Sequence, residues 1–168
     1  MTDLILGQVI RFAGDPFVDG LSAALPIRDG AVAVEGGRIA AVGGAADLRA
    51  RYPRARLHDH GPRLISAGFI DAHVHYPQTA IIASWGKRLI DWLNTYTFPE
   101  EMRFADRAYA DEVAGRYLDL VLACGTTTVC TYATIHPDSV DAIFTAAQSR
   151  GMRLFAGKTC MDRNAPEG

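Results

Sequence analysis

The chain has 168 residues, of which 49% are hydrophobic and 21% are charged, and its formal net charge of −2 is typical of a globular domain rather than a disordered chain. Its charges are spread without a basic stripe, no apolar run reaches the roughly 20 residues that a membrane span needs, and residues 1–3 (MTD) lack a basic signal-peptide start. We therefore expect a cytoplasmic protein whose main partner is neither nucleic acid nor a membrane.

Residues 1–63 are predicted to form a small antiparallel β unit, one part of a sandwich. The apolar stretches at residues 4–6, 9–10, 31–34 and 38–42 are typical of short strands. Asp29-Gly30 predicts a turn, and the EGG sequence at residues 35–37 predicts a hairpin between the last two stretches.

From residue 64 the chain alternates strands and helices. Residues 65–74 form an apolar run with one glycine inside it, which favours a strand buried on both faces. Residues 126–135 and 152–157 are the next predicted strands, and Gly125 and Gly151 are expected helix ends. Three helices are predicted from the apolar spacing of Leu89, Trp92, Leu93 and Tyr96, of Val113, Tyr117, Leu120, Val121 and Cys124, and of Val140, Ile143, Phe144 and Ala147.

This βαβαβ order predicts an α/β fold with a parallel sheet and right-handed crossovers. An open doubly wound sheet and a (β/α)8 barrel both begin in this way. Because a barrel typically needs about 250 residues, a barrel interpretation would give this chain only the first three βα units.

The three cysteines, Cys124, Cys130 and Cys160, form no CxxC pair. Their odd number argues against a disulfide framework and against a thiolate zinc site. We expect reduced, buried thiols, because a free cysteine packs as a small hydrophobic side chain.

The most informative segment is GFIDAHVH at residues 68–75. His73 and His75 are two apart on a strand, so their side chains share a face and can converge on one metal ion, at the strand end where parallel α/β folds place their sites. Asp71 is expected on the same face of the strand and either orients these histidines or has a structural role. The alternative is a pair of histidines that are merely packed, and a second HxH, His58-Asp59-His60, is interpreted as an exposed turn without function.

The segment at residues 68–75 resembles the signature that opens the barrel of the amidohydrolase superfamily, although Ala67 replaces the proline usual there. Within that superfamily, HYPQ at 75–78, DWLNTYTFP at 91–99 and GKTCMDRNAP at 157–166 are similar to the guanine deaminase family. The GTTT sequence at 125–128 agrees with this and is less specific.

The resemblance implies that residues 64–168 are the first portion of a metal-dependent (β/α)8 TIM-like barrel and that residues 1–63 are the N-terminal part of a composite β-sandwich. It implies deamination of guanine to xanthine and ammonia by water activated on zinc, with one ion per complete subunit and iron left open. His73 and His75 would bind the metal and Gln78 would contact the purine. The expected pocket walls are Tyr76, Pro77, Trp92 and Phe98.

Several expectations follow for the parts that this sequence does not supply. The resemblance places two further histidines, an aspartate and the catalytic glutamate on later strands, so we expect a truncated chain that is inactive by itself and a homodimer when complete. Thr134 and His136 either lie near the site or belong to a structural loop, and Lys158 is either a pocket or structural lysine or a carboxylated bridge between two metals. The alternatives are another amidohydrolase, acting on a cyclic amide or a different heterocyclic amine, and a non-catalytic remnant.

Overall fold

The computed structural model describes residues 1–162 of the chain. They divide between two compact units, with the division between Ala67 and Gly68. None of the described helices is long and apolar enough to cross a membrane.

The first unit is a four-stranded sheet in the order β3-β2-β1-β4. Strands β1 to β3 are antiparallel neighbours, whereas β4 pairs with β1 in parallel. The sheet is therefore mixed, and the prediction of a purely antiparallel unit is wrong for β4. The four strands are β1 (Thr2–Phe12), β2 (Ala24–Glu35), β3 (Arg38–Gly44) and β4 (Arg56–Ile65). The helices are α1 (Pro16–Asp19), the 3-10 turn Leu21–Ala23 and α2 (Ala45–Arg51).

The hairpin between β2 and β3 forms at Gly36 and Gly37, whose φ angles of 56° and 75° match the positive values that a type I′ turn requires. The turn predicted at Asp29-Gly30 is wrong, because both residues lie inside β2. The register between β1 and β2 shifts at this point, between Gly7 and Val9 of β1. Strand β2 carries one extra residue there, which forms a β-bulge. A side chain at Gly30 would collide with Val9, with its Cβ 2.7 Å from Val9 Cγ2, so glycine here serves a close strand approach.

The first sheet buries one face under α2. Its core consists of Leu4, Leu6, Ala31, Ala33 and Leu48. On the opposite face of the sheet, a cavity of about 290 Å³ is lined by Ile5, Val32, Val34 and other apolar residues.

The second HxH lies within β4, not in a turn. His58 Nε2 is 2.7 Å from Oδ1 of Asp3, and Arg56 donates to the same oxygen at 2.7 Å. These bonds lower the pKa of Asp3, with the His58 bond as the larger cause. His58 therefore contributes to the pairing of β4 with β1.

The second unit contains a three-stranded parallel sheet in the order β5-β6-β7, which confirms the predicted α/β order. Its strands are β5 (Phe69–His75), β6 (Thr126–Tyr132) and β7 (Arg153–Gly157). Its helices are α3 (Leu89–Trp92), α4 (Phe98–Met102), α5 (Arg107–Ala123) and α6 (Pro137–Ser149). Shorter turns are the 3-10 segments Tyr76–Ile81 and Arg103–Ala105 and the π-helical segment Leu93–Thr97.

Strand β5 begins at Phe69, four residues after the predicted start. The prediction that it is buried on both faces is wrong for the described residues, because Phe69 is 63% exposed and Ile70 72% exposed. Of residues 1–162, only β6 pairs with β5, so β5 is an edge strand.

Helices α5 and α6 pack on one face of the second sheet. The Asp106 side chain caps the start of α5 by accepting from the Ala108 amide at 2.9 Å, and Gly125, with φ 86°, follows its end as predicted. The buried face is rotated from the predicted one, because Leu120 and Phe144 are exposed whereas Leu118 and Ala142 are buried. The core here consists of Tyr76, Phe104, Ala110, Val113, Ala114, Tyr117, Leu118, Val129, Ala133, Ala142, Ile143 and Ala147.

The first predicted helix of this unit is divided into α3 and the π-helical segment Leu93–Thr97. Cys124, Cys130 and Cys160 are free, as predicted, but all three are exposed rather than buried.

Candidate active site

A pair of imidazoles lies at the carboxyl end of β5. The ring centroids of His73 and His75 are 5.4 Å apart. Tyr132, which pairs with His75 from the end of β6, stacks on the His75 ring at a centroid distance of 4.8 Å and meets the His73 ring edge at 5.4 Å. Sequence reasoning missed Tyr132, although its place at the end of the next parallel strand was an available signal.

The electrostatics at His75 favour its uncharged ring. Burial lowers the pKa of His75, and the neighbouring His73 lowers it further. A neutral imidazole is the form that binds a metal ion. The donor chemistry of His73 and His75 therefore fits a divalent transition metal.

The same rings line a cavity of about 480 Å³ in the second unit. Its polar lining includes both histidines and Gln78, and its apolar wall includes Trp92 and Leu120. The complete lining is His73, Val74, His75, Gln78, Thr79, Ile81, Ile82, Ala83, Ser84, Trp92, Tyr117, Leu120 and Val121.

Two polar contacts hold the lining. Gln78 Nε2 donates to Oε1 of Glu101 at 3.2 Å, and Trp92 Nε1 donates to the Ser84 carbonyl at 3.1 Å. Burial raises the pKa of Glu101, and the bond from Gln78 lowers it to a smaller extent. Sequence reasoning missed Glu101, because its partner Gln78 is distant along the chain.

Tyr76 and Pro77 are buried and do not line this cavity, and Phe98 on α4 does not line it either. The Tyr76 hydroxyl donates to the Ser139 carbonyl at 2.5 Å, and the Tyr76 amide donates to Thr131 Oγ1 at 3.0 Å. Burial raises the pKa of the Tyr76 hydroxyl well above its usual range. Tyr76 thus connects the turn after β5 to β6 and α6, and a role for it in substrate binding stays a prediction.

The remaining sequence candidates have contacts of their own. Asp71 Oδ1 accepts from the His73 backbone amide at 3.1 Å. Thr134 Oγ1 accepts from the His136 amide at 3.1 Å, while His136 Nε2 is buried and has no hydrogen-bond partner among the described residues. The Lys158 ammonium donates to the Thr159 carbonyl at 3.3 Å on the surface.

Within residues 1–162, no group of three or more His, Cys, Asp and Glu side chains could hold a metal. His73 and His75 are therefore two donors of a potential site rather than a complete one, since catalytic zinc usually has three protein ligands. Of the quoted GKTCMDRNAP segment, residues 163–166 lie outside the described part of the chain.

Comparison with known proteins places this geometry in a family. Residues 64–168 match the model of the amidohydrolase family. The chain belongs to the amidohydrolase family. Residues 30–55 of this amidohydrolase chain also match an imidazolonepropionase-like composite domain of bacteria.

The predicted similarity to guanine deaminases is confirmed. The amidohydrolase chain is 41% identical to guanine deaminase from Escherichia coli K12 over 142 residues, which are 84% of this chain and 32% of that protein. It matches the crystal structure of guanine deaminase from Bradyrhizobium japonicum with a TM-score of 0.93 and 37% identity, over 99% of this chain and 36% of the other.

A guanine deaminase from C. acetobutylicum, solved with guanine in its active site, matches with a TM-score of 0.85 and 30% identity, over 99% of this chain and 38% of that one. The amidohydrolase chain thus spans about a third of the length of the relatives that it matches.

Proposed function

We propose that the product of the complete reading frame deaminates guanine, with one water consumed and xanthine and ammonia released. The observation that carries this proposal is the pair His73 and His75 beside Gln78 in one cavity. The similarity of the chain to guanine deaminases, at 41% identity to the E. coli enzyme, supports guanine as the substrate.

The architecture proposed for that product is a (β/α)8 barrel whose first portion is residues 64–168. Residues 1–63 would supply the N-terminal part of a composite β-sandwich. The support is the high TM-score to complete guanine deaminases and the apolar cavity on the second face of the first sheet. Both sheets would then be covered on two faces, as parallel and sandwich sheets require.

His73 and His75 would hold one zinc ion, together with at least one ligand that the described residues do not supply. Zinc, when bound, provides a Lewis acid that brings the pKa of water toward about 7. Iron is the alternative, because imidazole binds both metals. Tyr132 stacks on the His75 ring and meets the His73 ring edge, and these contacts would hold the two rings in place.

The other cavity residues would orient the purine. The side-chain amide of Gln78 would hydrogen-bond an edge of guanine that carries an N–H group. Trp92 and Leu120 would supply apolar surface for the flat ring. The proton transfers require a general acid and base at the reacting carbon, a role assigned by the resemblance to a glutamate on a later strand.

The proposal is tested by measuring ammonia release and xanthine formation from guanine, with zinc supplied. The purified product of the complete reading frame is compared with the 168-residue chain, using adenine, cytosine and a cyclic amide as alternative substrates. We expect guanine turnover by the product of the complete reading frame and none by the 168-residue chain. Turnover of another substrate in preference to guanine would contradict the proposal and leave the family assignment intact.

The homodimer expected from the resemblance stays a prediction. Light scattering of the active protein measures it directly, and a monomer at the concentration of the activity assay would contradict it.

A further inference from the structure

A carboxylate lies behind the amide of Gln78. Gln78 is on the 3-10 turn Tyr76–Ile81 and lines the cavity, whereas Glu101 is on α4 and does not line it. The Nε2 atom of Gln78 donates to Oε1 of Glu101 at 3.2 Å. Within residues 1–162, no Lys, Arg or His forms an ion pair with Glu101.

The neighbouring Glu100 shows the contrast. Its carboxylate lies 3.0 Å from Nη1 of Arg103 and also accepts a hydrogen bond from the Tyr109 hydroxyl. These partners give Glu100 a structural role. Glu101 is half-buried without such a cation, an arrangement that costs free energy unless the carboxylate has a specific partner. In the described part of the chain, that side-chain partner is Gln78.

We propose that Glu101 is a positioning residue that fixes which end of the Gln78 amide faces the substrate. An ionised carboxylate accepts hydrogen bonds and donates none, so the NH₂ end of Gln78 must turn toward Glu101. The carbonyl oxygen of Gln78, which accepts no hydrogen bond from the described residues, is then the acceptor available to the cavity.

An acceptor held in this way selects for a substrate edge that carries an N–H group, such as an exocyclic amine or a protonated ring nitrogen. It disfavours an edge that presents a carbonyl or a bare ring nitrogen, because two acceptors cannot form a hydrogen bond. This inference rests on the proposed deamination of guanine and adds the residue that orients the side-chain amide of Gln78.

The test is Glu101→Gln in the product of the complete reading frame. A glutamine at this position both donates and accepts, so the Gln78 amide is free to take either orientation. We expect the KM for guanine to rise about tenfold while kcat changes less than about twofold, which is the pattern when binding shared by the ground state and the transition state is lost. The melting temperature should not fall, because the variant removes a half-buried charge that has no cation.

The matched control is Glu100→Gln, which changes the charge of the same helix by the same amount. It weakens the contacts to Arg103 and Tyr109 and is expected to lower the melting temperature with little effect on KM. A side-chain amide NMR signal for Gln78, identified by its loss in Gln78→Glu, should shift in Glu101→Gln and not in Glu100→Gln.

The two proposals fail in distinguishable ways. If the unsubstituted protein does not deaminate guanine, the proposed function fails, and the NMR signal alone decides the role of Glu101. An unchanged KM in an active enzyme, or an unmoved Gln78 signal in an inactive one, would overturn the positioning role.

Discussion

At the scale of single residues, two HxH pairs with the same spacing have different surroundings. His73 and His75 lie at the carboxyl end of a parallel strand, line a cavity and contact Tyr132. His58 lies along β4 and binds Asp3, at the pairing of two strands. The surroundings of each pair, rather than its spacing, indicate which one can bind a metal.

Substituting His73 by alanine is expected to reduce bound zinc in the product of the complete reading frame by at least about tenfold, because His73 is one of the two ligands that we propose for the metal. The matched control is His60→Ala, which removes an imidazole from the other pair and should leave the zinc content unchanged. Metal per subunit, measured by plasma mass spectrometry, is the readout. Equal zinc in both variants would remove His73 from the site.

Glu101 predicts a pH dependence of stability. Burial raises its pKa in the folded state above the ordinary value of 4.5, so the folded protein binds a proton that the unfolded chain has already lost. Its contribution to the free energy of unfolding is therefore present at low pH and is lost as the pH rises from about 4.5 through the raised value.

Urea unfolding across this pH range should show a smaller decline for Glu101→Gln than for the unsubstituted protein. Parallel curves for the two proteins would mean that Glu101 has the same pKa in the folded and unfolded states.

At the scale of elements, α5 is the long helix on which the second sheet packs. Asp106 begins it by accepting from the Ala108 amide, and the buried face carries Val113, Tyr117 and Leu118. Its start is therefore determined locally by a cap, and its orientation by packing. The buried face of α5 differs from the predicted face, because small residues such as Ala110 and Ala114 permit close approach to the sheet and to α6.

Asp106→Ala is expected to lower the free energy of unfolding by about 1 kcal/mol through loss of the N-cap. Asp111→Ala, on the same helix, removes only an exposed ion pair with Arg107 and should cost no more than about 0.5 kcal/mol. Chemical denaturation measures both. A cost for Asp111→Ala equal to that for Asp106→Ala would show that the cap is not the source of the effect.

At the scale of the whole molecule, the helices within residues 1–162 cover one face of the second sheet and leave its other face open. Leu154 and Ala156 of β7 pack against the helical core, while Phe155 between them is 58% exposed. Since parallel sheets are normally covered on both sides, Phe155 is expected to be buried in a completed barrel.

Two adjacent substitutions test this expectation. Leu154→Lys should destabilise both the 168-residue chain and the product of the complete reading frame, because Leu154 packs against helices in the described structure. Phe155→Lys should destabilise the complete product by at least about 3 kcal/mol, as the loss of a buried Phe side chain does, and should leave the 168-residue chain unaffected or more soluble. Denaturant midpoints and light scattering give the result, and a tolerated Phe155→Lys in the complete product would contradict the barrel.

The sequence by itself determined those features that depend on local chemistry. The Gly36-Gly37 turn follows from positive φ angles, the end of α5 from Gly125, and the strand–helix order from hydrophobic spacing. The segment at residues 68–75 was sufficient to indicate the family through its resemblance to the amidohydrolase signature, whereas the spacing of its two histidines was not, because His58 and His60 share that spacing.

Only the tertiary structure decided the contacts between residues distant in the chain. The parallel pairing of β4 with β1, the stacking of Tyr132 on His75 and the bond from Gln78 to Glu101 each join separate segments. Such contacts depend on how whole elements pack, which hydrophobic periodicity does not specify. Packing also placed Tyr76 in the core although its neighbour Gln78 lines the cavity, because successive positions of a tight turn point in different directions.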